Sequence, residues 1–413
     1  MKEYQLIKVR NHFPDNSLTD VKKACRQELK KLSGIITRNS SIAIGVGSRG
    51  IDNLEIIVRE TVDFVKEQGG NPFIIPAMGS HGGATAHGQE EVLAGYGITE
   101  NNIGALIRSD METIRPPGIK SGNHIFMDKL AYESDGIILI NKIQPHTDFN
   151  AEYESGLVKM AVIGLGKEHG AKAIHDFGVH GLVNLIPSLA KIIFDTGKIL
   201  AGIALVENAY DKTMMIRAIP GNKIIKEEPD LLNTARSHRP ELPVNDIDVL
   251  LIDEMGKDIS GVGMDTHVLG RIRIYGQPEP ENPKIKSVVV HDLTDQSHGN
   301  AIGVGLADVI TRKLFNKIDF EKTYKNVSTS SFLERGKIPI VAENDLEALC
   351  LALRNCGSIK PGKERIIRLK NTRHLDELYI SDAIHHEIKD NPRIETTGEK
   401  VKVFRSDKTL YPF

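Results

Sequence analysis

Two histidines of the 413-residue chain lie in glycine- or proline-containing turns that follow apolar runs. His81 lies in Pro76-Ala-Met-Gly-Ser-His-Gly-Gly83, and His146 lies in Asn141-Lys-Ile-Gln-Pro-His-Thr-Asp148. A single loop histidine is more often a surface imidazole than a catalytic group, but two in corresponding loops change that balance. If the strands before them are neighbours, both imidazoles face one crevice, where they can act as paired acid/base groups on opposite faces of a substrate.

A third turn of the same kind carries an arginine. It is Gly45-Val-Gly-Ser-Arg-Gly50, and it follows an apolar run that begins at Ser41. Its backbone amides, together with Ser48 and the guanidinium of Arg49, can bind a phosphate or a carboxylate. This turn is therefore a candidate anion site.

The segment 155–175, SGLVKMAVIGLGKEHGAKAIH, combines a glycine-rich turn with three lysines and two histidines. Its part 164–170 is similar to a phosphate-binding loop after a hydrophobic strand. It lacks the six-residue dinucleotide fingerprint, and no acidic residue ends a following strand at the required distance. Dinucleotide binding by this loop is thus only weakly indicated. Lys167 and Lys172 are expected to be solvated charges.

The elements that must position these turns alternate between short apolar strands and helices. A helix capped by Thr19 and ending near Gly34 comes first. The predicted strands are 41–46, 73–75, 135–141, 247–253, 286–291 and 338–341, and further predicted helices are 54–66 and 90–96. Strands separated by helices indicate mostly parallel sheets covered on both faces, with ligands bound beyond the carboxyl ends of the strands.

Length and composition predict an α/β protein of two domains. With 413 residues, 40% of them hydrophobic and 26% charged, the chain can bury a substantial core. The proline-containing stretch 237–245 is a predicted boundary. We expect a cofactor-binding N-terminal domain at 1–240, a C-terminal domain at 245–389 and a tail at 390–413 that packs back on either domain, with the N-terminal domain favoured. Each domain should hold a mostly parallel sheet flanked by helices, with the active site in the cleft between them.

Charge and hydropathy favour small-molecule chemistry. The net charge of −2 gives no bulk attraction to nucleic acid or to an anionic membrane. Neither a signal peptide nor an apolar run of membrane-spanning length is present in the sequence, so a cytoplasmic protein is expected. Three cysteines without paired spacing are expected to be structural thiols in a reducing compartment.

Taken together, these residues resemble the nickel-pincer lactate racemases, a family whose members carry a covalently held pyridinium nucleotide bearing nickel. The resemblance rests on Ser48-Arg49, Gly79-Ser80-His81, Pro145-His146, Ser155-Gly-Leu-Val-Lys159 and His175, which occur in the order of the family signature. Each piece is short, and their combination carries the resemblance.

The resemblance implies a role for several residues of the first domain. Lys159 would form the thioamide link to the nickel-pincer nucleotide, and His175 would supply an imidazole to nickel, which suits that metal. His169 competes with His175 as the ligand. Ser48 and Arg49 would bind the cofactor, and Arg49 could bind the substrate carboxylate instead.

The resemblance also implies a mechanism. His81 and His146 would take the proton of the substrate hydroxyl while hydride leaves the α-carbon for the cofactor. Return of hydride to the other face of the planar 2-keto acid inverts the centre. Two bases are needed because the hydroxyl lies on different sides before and after inversion. Partner proteins that build and insert the cofactor are implied as well.

The second domain departs from the family pattern. The family's Tyr-Gln-x-x-Lys substrate segment is replaced by 254–271, and the chain has no tryptophan to pack on the pyridinium. The candidate substrate-binding residues are Lys257, His267 and Arg271 in that segment and His298 and Asn300 in the polar loop 292–308. We therefore expect a divergent racemase or epimerase whose 2-hydroxy acid is larger or more polar than lactate. The alternatives are a nicotinamide-dependent oxidoreductase and a non-catalytic small-molecule binding protein on the same scaffold.

Overall fold

The chain forms two compact units in the computed structural model, which describes residues 4–48, 50–116, 125–330 and 332–413. The first unit is Pro14–Arg239. The second unit is Met1–Phe13 together with Pro240–Phe413. The chain therefore passes to the second unit inside the predicted boundary stretch, but the N-terminal residues belong to the second unit as well.

The strands are given in chain order: β1 Gln5–Asn11, β2 Ser41–Val46, β3 Asn71–Pro76, β4 Leu106–Ile107, β5 Thr113–Ile114, β6 Met127–Asp128, β7 Gly136–Lys142, β8 Ile199–Glu207, β9 Thr213–Pro220, β10 Asp246–Met255, β11 Lys284–Leu293, β12 Val309–Thr311, β13 Ile340–Ala342, β14 Ile366–Leu369, β15 Glu377–Ile380 and β16 Ile394–Lys402.

The α-helices are given in the same way: α1 Val21–Lys30, α2 Leu54–Glu67, α3 Ala86–Gly95, α4 Glu100–Ile103, α5 Lys129–Glu133, α6 Leu157–Lys159, α7 Lys167–His175, α8 Gly178–His180, α9 Ile186–Asp195, α10 Ile224–Ser237, α11 Thr266–Leu269, α12 Arg312–Lys317, α13 Phe320–Ser330, α14 Asp345–Asn355 and α15 Asp382–Ile388. Two π-helical turns, Met160–Gly164 and Gly181–Leu185, follow α6 and α8.

The sheet of the first unit has the strand order β4-β3-β2-β7-β8-β9, and every pairing except β8 with β9 is parallel. The central strands are nearly continuous apolar runs, as expected for strands covered on both faces. Ile44 of β2, for example, is fully buried and pairs with Ile74 on one side and Ile138 on the other. The predicted strands and helices of this unit are therefore present.

The first helix begins one residue later than expected. The side chain of Asp20, not that of Thr19, accepts a hydrogen bond from the backbone N–H of Lys23 at 2.8 Å. A carboxylate at this position also complements the positive end of the helix dipole. Cys25 and Leu29 on the inner face of α1 are buried in the core of the first unit.

The sheet of the second unit has the order β13-β12-β11-β10-β14-β15-β1-β16. Strands β13 to β14 run parallel, and β15, β1 and β16 pair antiparallel. The first strand of the chain thus lies between two of the last. This corrects the expected 1–240 domain, because residues 1–13 belong to the second unit. The segment 390–413 packs on the second unit, the less favoured of its two expected positions, through the pairing of β16 with β1. Strand pairing over this sequence distance leaves no local signal.

Among the described residues, no helix combines the length and the apolar character that crossing a bilayer requires.

The placement of β1 predicts where a core mutation acts. Leu6 is 3% exposed and packs with the core of the second unit, so Leu6→Ala should lower the free energy of unfolding by about 2–5 kcal/mol. Amide exchange should accelerate in β15 and β16 and stay unchanged in β2. Arg10→Ala, an exposed position of the same strand, is the control. Faster exchange in β2 with unchanged β15 and β16 would contradict the assignment of β1.

Candidate active site

Three loops meet at the carboxyl edge of the first unit's sheet. They follow β3, β2 and β7, which are adjacent and parallel, so their ends lie side by side. The loops carry His81, Ser48 and His146, respectively. Arg49 lies outside the described residues. The strands before the two histidine-bearing loops are not direct neighbours, which corrects the neighbouring position considered from the sequence, because β2 lies between β3 and β7.

His81 is bonded to the neighbouring loop. Its ring Nδ1 hydrogen-bonds the hydroxyl of Ser48, and the hydroxyl of Tyr96 donates to the carbonyl of Ser48 at 2.7 Å. His81 itself is exposed at the edge of the sheet. This hydrogen bond orients the imidazole, and the hydroxyl can act in it as donor or acceptor. The side chains of His81 and Ser48 are therefore bonded to each other across two loops that follow different strands.

The side chain of Gln89 in α3 holds the loop of His81 in place. The fully buried amide of Gln89 donates to the carbonyls of Gly79 at 2.8 Å and His81 at 3.2 Å. Gly79 has φ +61°, and a Cβ there would lie 3.3 Å from the carbonyl oxygen of Ile163, so glycine is required where the loop crosses the π turn. The loop is thus fixed to both α3 and Met160–Gly164.

Lys167 is completely buried, which corrects the expectation of a solvated charge. Its ammonium lies 3.0 Å from the Asp128 carboxylate and donates to the carbonyl of Pro76 at 2.6 Å and the side chain of Gln89 at 3.2 Å. Burial lowers the pKa of Lys167, while the charge of Asp128 opposes this shift. Two hydrogen bonds and one ion pair thus hold the ammonium, and the Asp128 oxygen of that ion pair accepts no hydrogen bond from the described residues. Lys167 therefore joins the ends of β3 and β6 to α3.

His146 is 7% exposed and is fixed through its backbone. Its N–H donates to the buried carboxylate of Glu154 at 2.5 Å, and Arg236 holds the other oxygen of that carboxylate at 2.5 Å. The ring of Phe149 stacks on the imidazole with 4.7 Å between centroids. The backbone N–H of Asp148 donates to His146 Nδ1 at 3.1 Å. The imidazole is therefore held in one orientation.

Lys159 lies beside His146. Its Nζ is 2.5 Å from His146 Nε2 and 5.8 Å from the centroid of the Phe149 ring. Lys159 is half-buried at the end of α6, where the helix passes into the π turn Met160–Gly164. Single π turns within helices often occur at functional sites.

The glycine-rich run after Lys159 is helical, so the weakly indicated strand and phosphate loop are not formed there. Gly164 packs against the loop of His81, because a Cβ there would lie 2.6 Å from the carbonyl oxygen of Ala77. A Cβ at Gly166 would meet the carbonyl of Val162. These glycines permit close packing of protein against protein, and they do not form an open cradle for phosphate.

Glu228 of α10 caps the helix that carries Lys159. Its buried carboxylate accepts from the N–H of Val158 at 3.0 Å. Burial raises the pKa of Glu228 to about 7, and hydrogen bonds from backbone N–H groups at the start of α6 oppose this shift. A Cβ at position 156 would collide with Glu228 Oε1, so glycine suits this position. A carboxyl group on a helix N-terminus stabilises the first turn.

His175 ends α7 and is half-buried. Burial lowers the pKa of His175, and the charge that Lys159 carries when protonated lowers it further, while Asp148 and Asp176 oppose the shift. The neutral imidazole that results is the form that binds metals. His175 is thus electrostatically coupled to Lys159 and Asp148.

His169, the competing candidate, has different neighbours. Its Nδ1 lies 3.1 Å from the Thr113 hydroxyl, and its ring stacks on Phe126 with 5.7 Å between centroids. The surroundings of Lys159 therefore favour His175 as the imidazole of this site. Within the described ranges, three or more histidine, cysteine, aspartate or glutamate side chains do not converge on a point that could hold a metal ion.

Two candidate residues of the second unit, Lys257 and Asn300, hydrogen-bond the same side chain. Lys257 Nζ donates to Asn326 at 3.0 Å, and the side-chain amide of Asn300 donates to the same Asn326 oxygen at 3.1 Å. Lys257 follows β10 and Asn300 follows β11, so this cluster lies at the carboxyl edge of that sheet. His298 is exposed nearby in sequence, with φ +47°.

Arg271 lies at the opposite edge of the same sheet. Its guanidinium pairs with Asp308 at 2.5 Å and donates to the carbonyl of Ile285 at 2.7 Å, and both partners lie where strands begin. We therefore do not include Arg271 in the candidate site. His267 lies in α11, where its backbone N–H donates to Asp265 at 2.8 Å.

Sequence reasoning missed the residues that hold the site together. They are Gln89, Glu154, Lys167, Glu228 and Asn326. Each is polar or charged. Glu228, Asn326 and Lys167 are distant in sequence from groups that they bond, whereas Gln89 and Glu154 lie within ten residues of theirs. Charged side chains are rarely buried, and no local pattern marks such a case.

Comparison with known proteins finds similar structures but no similar sequence. No family model and no curated protein sequence matches the chain. The lactate racemase apoprotein from Thermoanaerobacterium thermosaccharolyticum is similar in structure, with 13% identity over 86% of this chain and 96% of that chain and a TM-score of 0.50. A protein from Thermotoga maritima aligns with 14% identity over 85% of this chain and 86% of that chain, with a TM-score of 0.49. At such identity, the likeness to the apoprotein shows a shared fold.

Replacing Lys167 should be costly. Lys167→Met leaves the Asp128 carboxylate buried without its counter-charge, so the free energy of unfolding should fall by about 3–5 kcal/mol in chemical denaturation. Lys172→Met, at an exposed position of the same helix, should change it by no more than about 0.5 kcal/mol. Adding Asp128→Asn to Lys167→Met should restore part of the loss. Equal stability of the two single variants would contradict the role of the ammonium.

Glu228 should make stability depend on pH. Its folded-state pKa of about 7 lies above the ordinary value of about 4.3, so the folded state binds more protons between these values and stability falls as pH rises through them. Relative to wild type, Glu228→Gln should therefore gain up to about 3 kcal/mol between pH 4 and pH 8. The exposed Glu227→Gln should show no such trend in the same denaturation series.

Proposed function

We propose that the protein is a racemase or epimerase of a 2-hydroxy acid that uses a nickel-pincer nucleotide held on Lys159. The observation that supports this most is the contact between the amine of Lys159 and the buried imidazole of His146, 2.5 Å apart beyond the carboxyl edge of a parallel sheet. The shared fold with a lactate racemase apoprotein is consistent with the proposal. In the sequence, the proposal is supported by the order of Ser48, His81, His146, Lys159 and His175 along the chain.

The residues present fit such a group. Lys159 offers an amine at the end of a short capped helix, and His175 is kept neutral by burial and is thus able to bind a metal. One imidazole suffices when the remaining donors come from the group itself. When bound, the group supplies reversible acceptance of hydride from the α-carbon. Ser48 lies in the turn that would hold its phosphate.

The two histidines would move the hydroxyl proton. His146 is fixed by Phe149 and by the N–H of Asp148, and it presents Nε2 toward Lys159. His81 is oriented by Ser48 and presents its other ring nitrogen. Each imidazole serves one position of the substrate hydroxyl, so proton transfer remains possible before and after inversion.

Substrate selection is assigned to polar groups of the second unit. Lys257 and Asn300, joined by Asn326, and the exposed His298 offer more donors than lactate can use. We therefore propose a 2-hydroxy acid with an additional polar substituent. Proteins that build and insert the nucleotide are the proposed partners, since this chain supplies only the attachment site.

The glycine run gives no support to a nicotinamide-dependent oxidoreductase. Gly164 and Gly166 lie in or next to helical turns, where protein atoms fill the space that a pyrophosphate would need. A binding protein without turnover would not need the amine and both imidazoles. It remains the outcome expected if loading fails.

Loading tests the cofactor directly. The protein should be produced together with enzymes that make the nickel-pincer nucleotide and then analysed by peptide mass spectrometry and metal analysis. We expect a nucleotide-sized adduct on the Lys159 peptide with near-stoichiometric nickel. Lys159→Arg should abolish the adduct, and Lys172→Arg should keep it. An unmodified, nickel-free wild type under conditions that load an authentic lactate racemase would refute the proposal.

Turnover tests the reaction. The loaded protein should be offered enantiopure 2-hydroxy acids that carry deuterium on the α-carbon, and the products should be resolved by chiral chromatography with mass detection. Hydride transfer returns the same hydrogen, so the inverted product should retain its deuterium. Loss of deuterium to solvent would show proton abstraction at carbon and would contradict the proposed mechanism.

A further inference from the structure

The last residues of the chain border a cleft of about 300 Å³ in the second unit. The backbone N–H of Tyr411 donates to the carbonyl of Val403 at 2.9 Å. The N–H of Leu410 donates to the carboxylate of Asp345, the first residue of α14, at 2.7 Å. The segment 403–413 is therefore held both by its own backbone and by a helix, so this side of the cleft is fixed within the unit.

Residues of two neighbouring strands line the cleft from the side of the sheet. Arg368 of β14 pairs with Tyr379 of β15, and residues paired in this way lie on the same face of a sheet. Both line the cleft, together with the end of β16 and residues 411–412. The lining thus combines a guanidinium, two tyrosine rings and aliphatic side chains.

Arg368 is buried, at 2% exposed, and only part of its guanidinium is hydrogen-bonded. Its Nε and Nη2 donate to the two carboxylate oxygens of Asp253 at 2.8 and 2.6 Å, and Nη2 also donates to the carbonyl of Tyr411 at 2.6 Å. The ring centroids of Tyr379 and Phe413 each lie 5.5 Å from Cζ. These contacts hold the guanidinium in one position.

The Nη1 nitrogen carries the two remaining donors of Arg368. A guanidinium has five N–H donors, and the bonds of Nε and Nη2 use three of them. Within the part of the chain that the structure describes, Nη1 has no hydrogen-bond partner, and it is not among the unpaired polar atoms that are sealed from solvent. Because donors of buried side chains are nearly always paired, Nη1 is suited to an acceptor that a ligand brings into the cleft.

The composition of the lining favours an anion with an apolar body. Two side chains of the lining, Arg368 and Lys402, are cations, and none of the described residues that line the cleft is acidic. Asp253 partly neutralises Arg368, but the N–H groups of Nη1 still present their dipoles to an acceptor. The rings of Tyr379 and Tyr411 supply surface on which a flat apolar group can pack.

We propose that this cleft is a binding site for a small carboxylate with a flat apolar body, of the arylcarboxylate class. Its carboxylate accepts hydrogen bonds from Nη1 of Arg368, and its body packs on the tyrosine rings. The volume of the cleft is at the lower end for ligand sites, which suits a ligand of one ring and excludes a nucleotide. The site requires neither nickel nor Lys159, so the inference goes beyond the proposed function and does not rest on it.

The binding test uses benzoate as the probe on the full chain, with saturation followed by ligand-observed NMR at low ionic strength. We expect a Kd of about 1 mM or tighter. Benzamide has the same shape without the charge and should bind at least about tenfold more weakly. Equal binding of the two compounds, or no saturation by benzoate up to about 20 mM, would overturn the proposal.

Hydrogen exchange on the wild type locates the ligand. A ligand that contacts the sheet and residues 411–412 together stabilises both against local opening. Saturating benzoate should therefore slow amide exchange in β14, β15 and the segment 403–413, and leave β2 of the first unit unchanged. Saturable binding that protects only segments outside the cleft would refute this location.

Two variants separate the ring from the guanidinium. Tyr411→Ala removes a ring of the lining but keeps the carbonyl that accepts from Arg368, so benzoate should bind at least about fivefold more weakly. Arg368→Lys keeps a cation beside Asp253 and removes Nη1, which should weaken binding at least about tenfold. Lys389→Ala, at an exposed position outside the cleft, should bind as the wild type does. Unchanged affinity in Tyr411→Ala would contradict the proposal, whether or not the arginine variant folds.

Discussion

The buried ammonium of Lys167 is the constraint on which the first unit's site depends. An ammonium removed from water must keep a counter-charge and acceptors, and Lys167 obtains them from Asp128, Pro76 and Gln89. Its backbone has φ +52° at the first residue of α7, a conformation that a lysine adopts only when its surroundings fix it. Gln89 in turn holds the loop of His81. The position of His81 and the start of the helix that ends in His175 therefore follow from one side chain.

Local signals in the sequence predicted the strands and the turns that carry the site. Runs such as 41–46 and 135–141 are apolar enough to be recognised alone, and the turns after them contain the candidate histidines. Parallel pairing then brings those turns to one edge without further information. The pairing of β1 with β15 and β16 could not be predicted in this way, because it joins residues hundreds of positions apart. The same limit applies to Glu228, which meets α6 only after folding.

Glycine spacing was the least reliable guide, for a physical reason. A glycine permits close approach of any atom, whether it belongs to a phosphate or to a neighbouring segment of protein. At Gly164 the neighbour is the carbonyl of Ala77, and at Gly156 it is the carboxylate of Glu228. The order of chemically distinct residues from Ser48 to His175 was a better guide, because an amine and imidazoles have fewer structural substitutes than a glycine does.

The two units differ in how their cations are used. In the second unit, Arg271 and Arg273 both form ion pairs with Asp308, so their charges are partly neutralised within the fold. Lys257 instead donates to the carbonyl of Gly261 and to the side-chain oxygen of Asn326, which also accepts from Asn300. These hydrogen bonds position its ammonium at the carboxyl edge of the sheet, where parallel sheets bind ligands, whereas the two arginines lie at the opposite edge. This difference in place is why Lys257, and not Arg271, stays among the proposed substrate-binding residues.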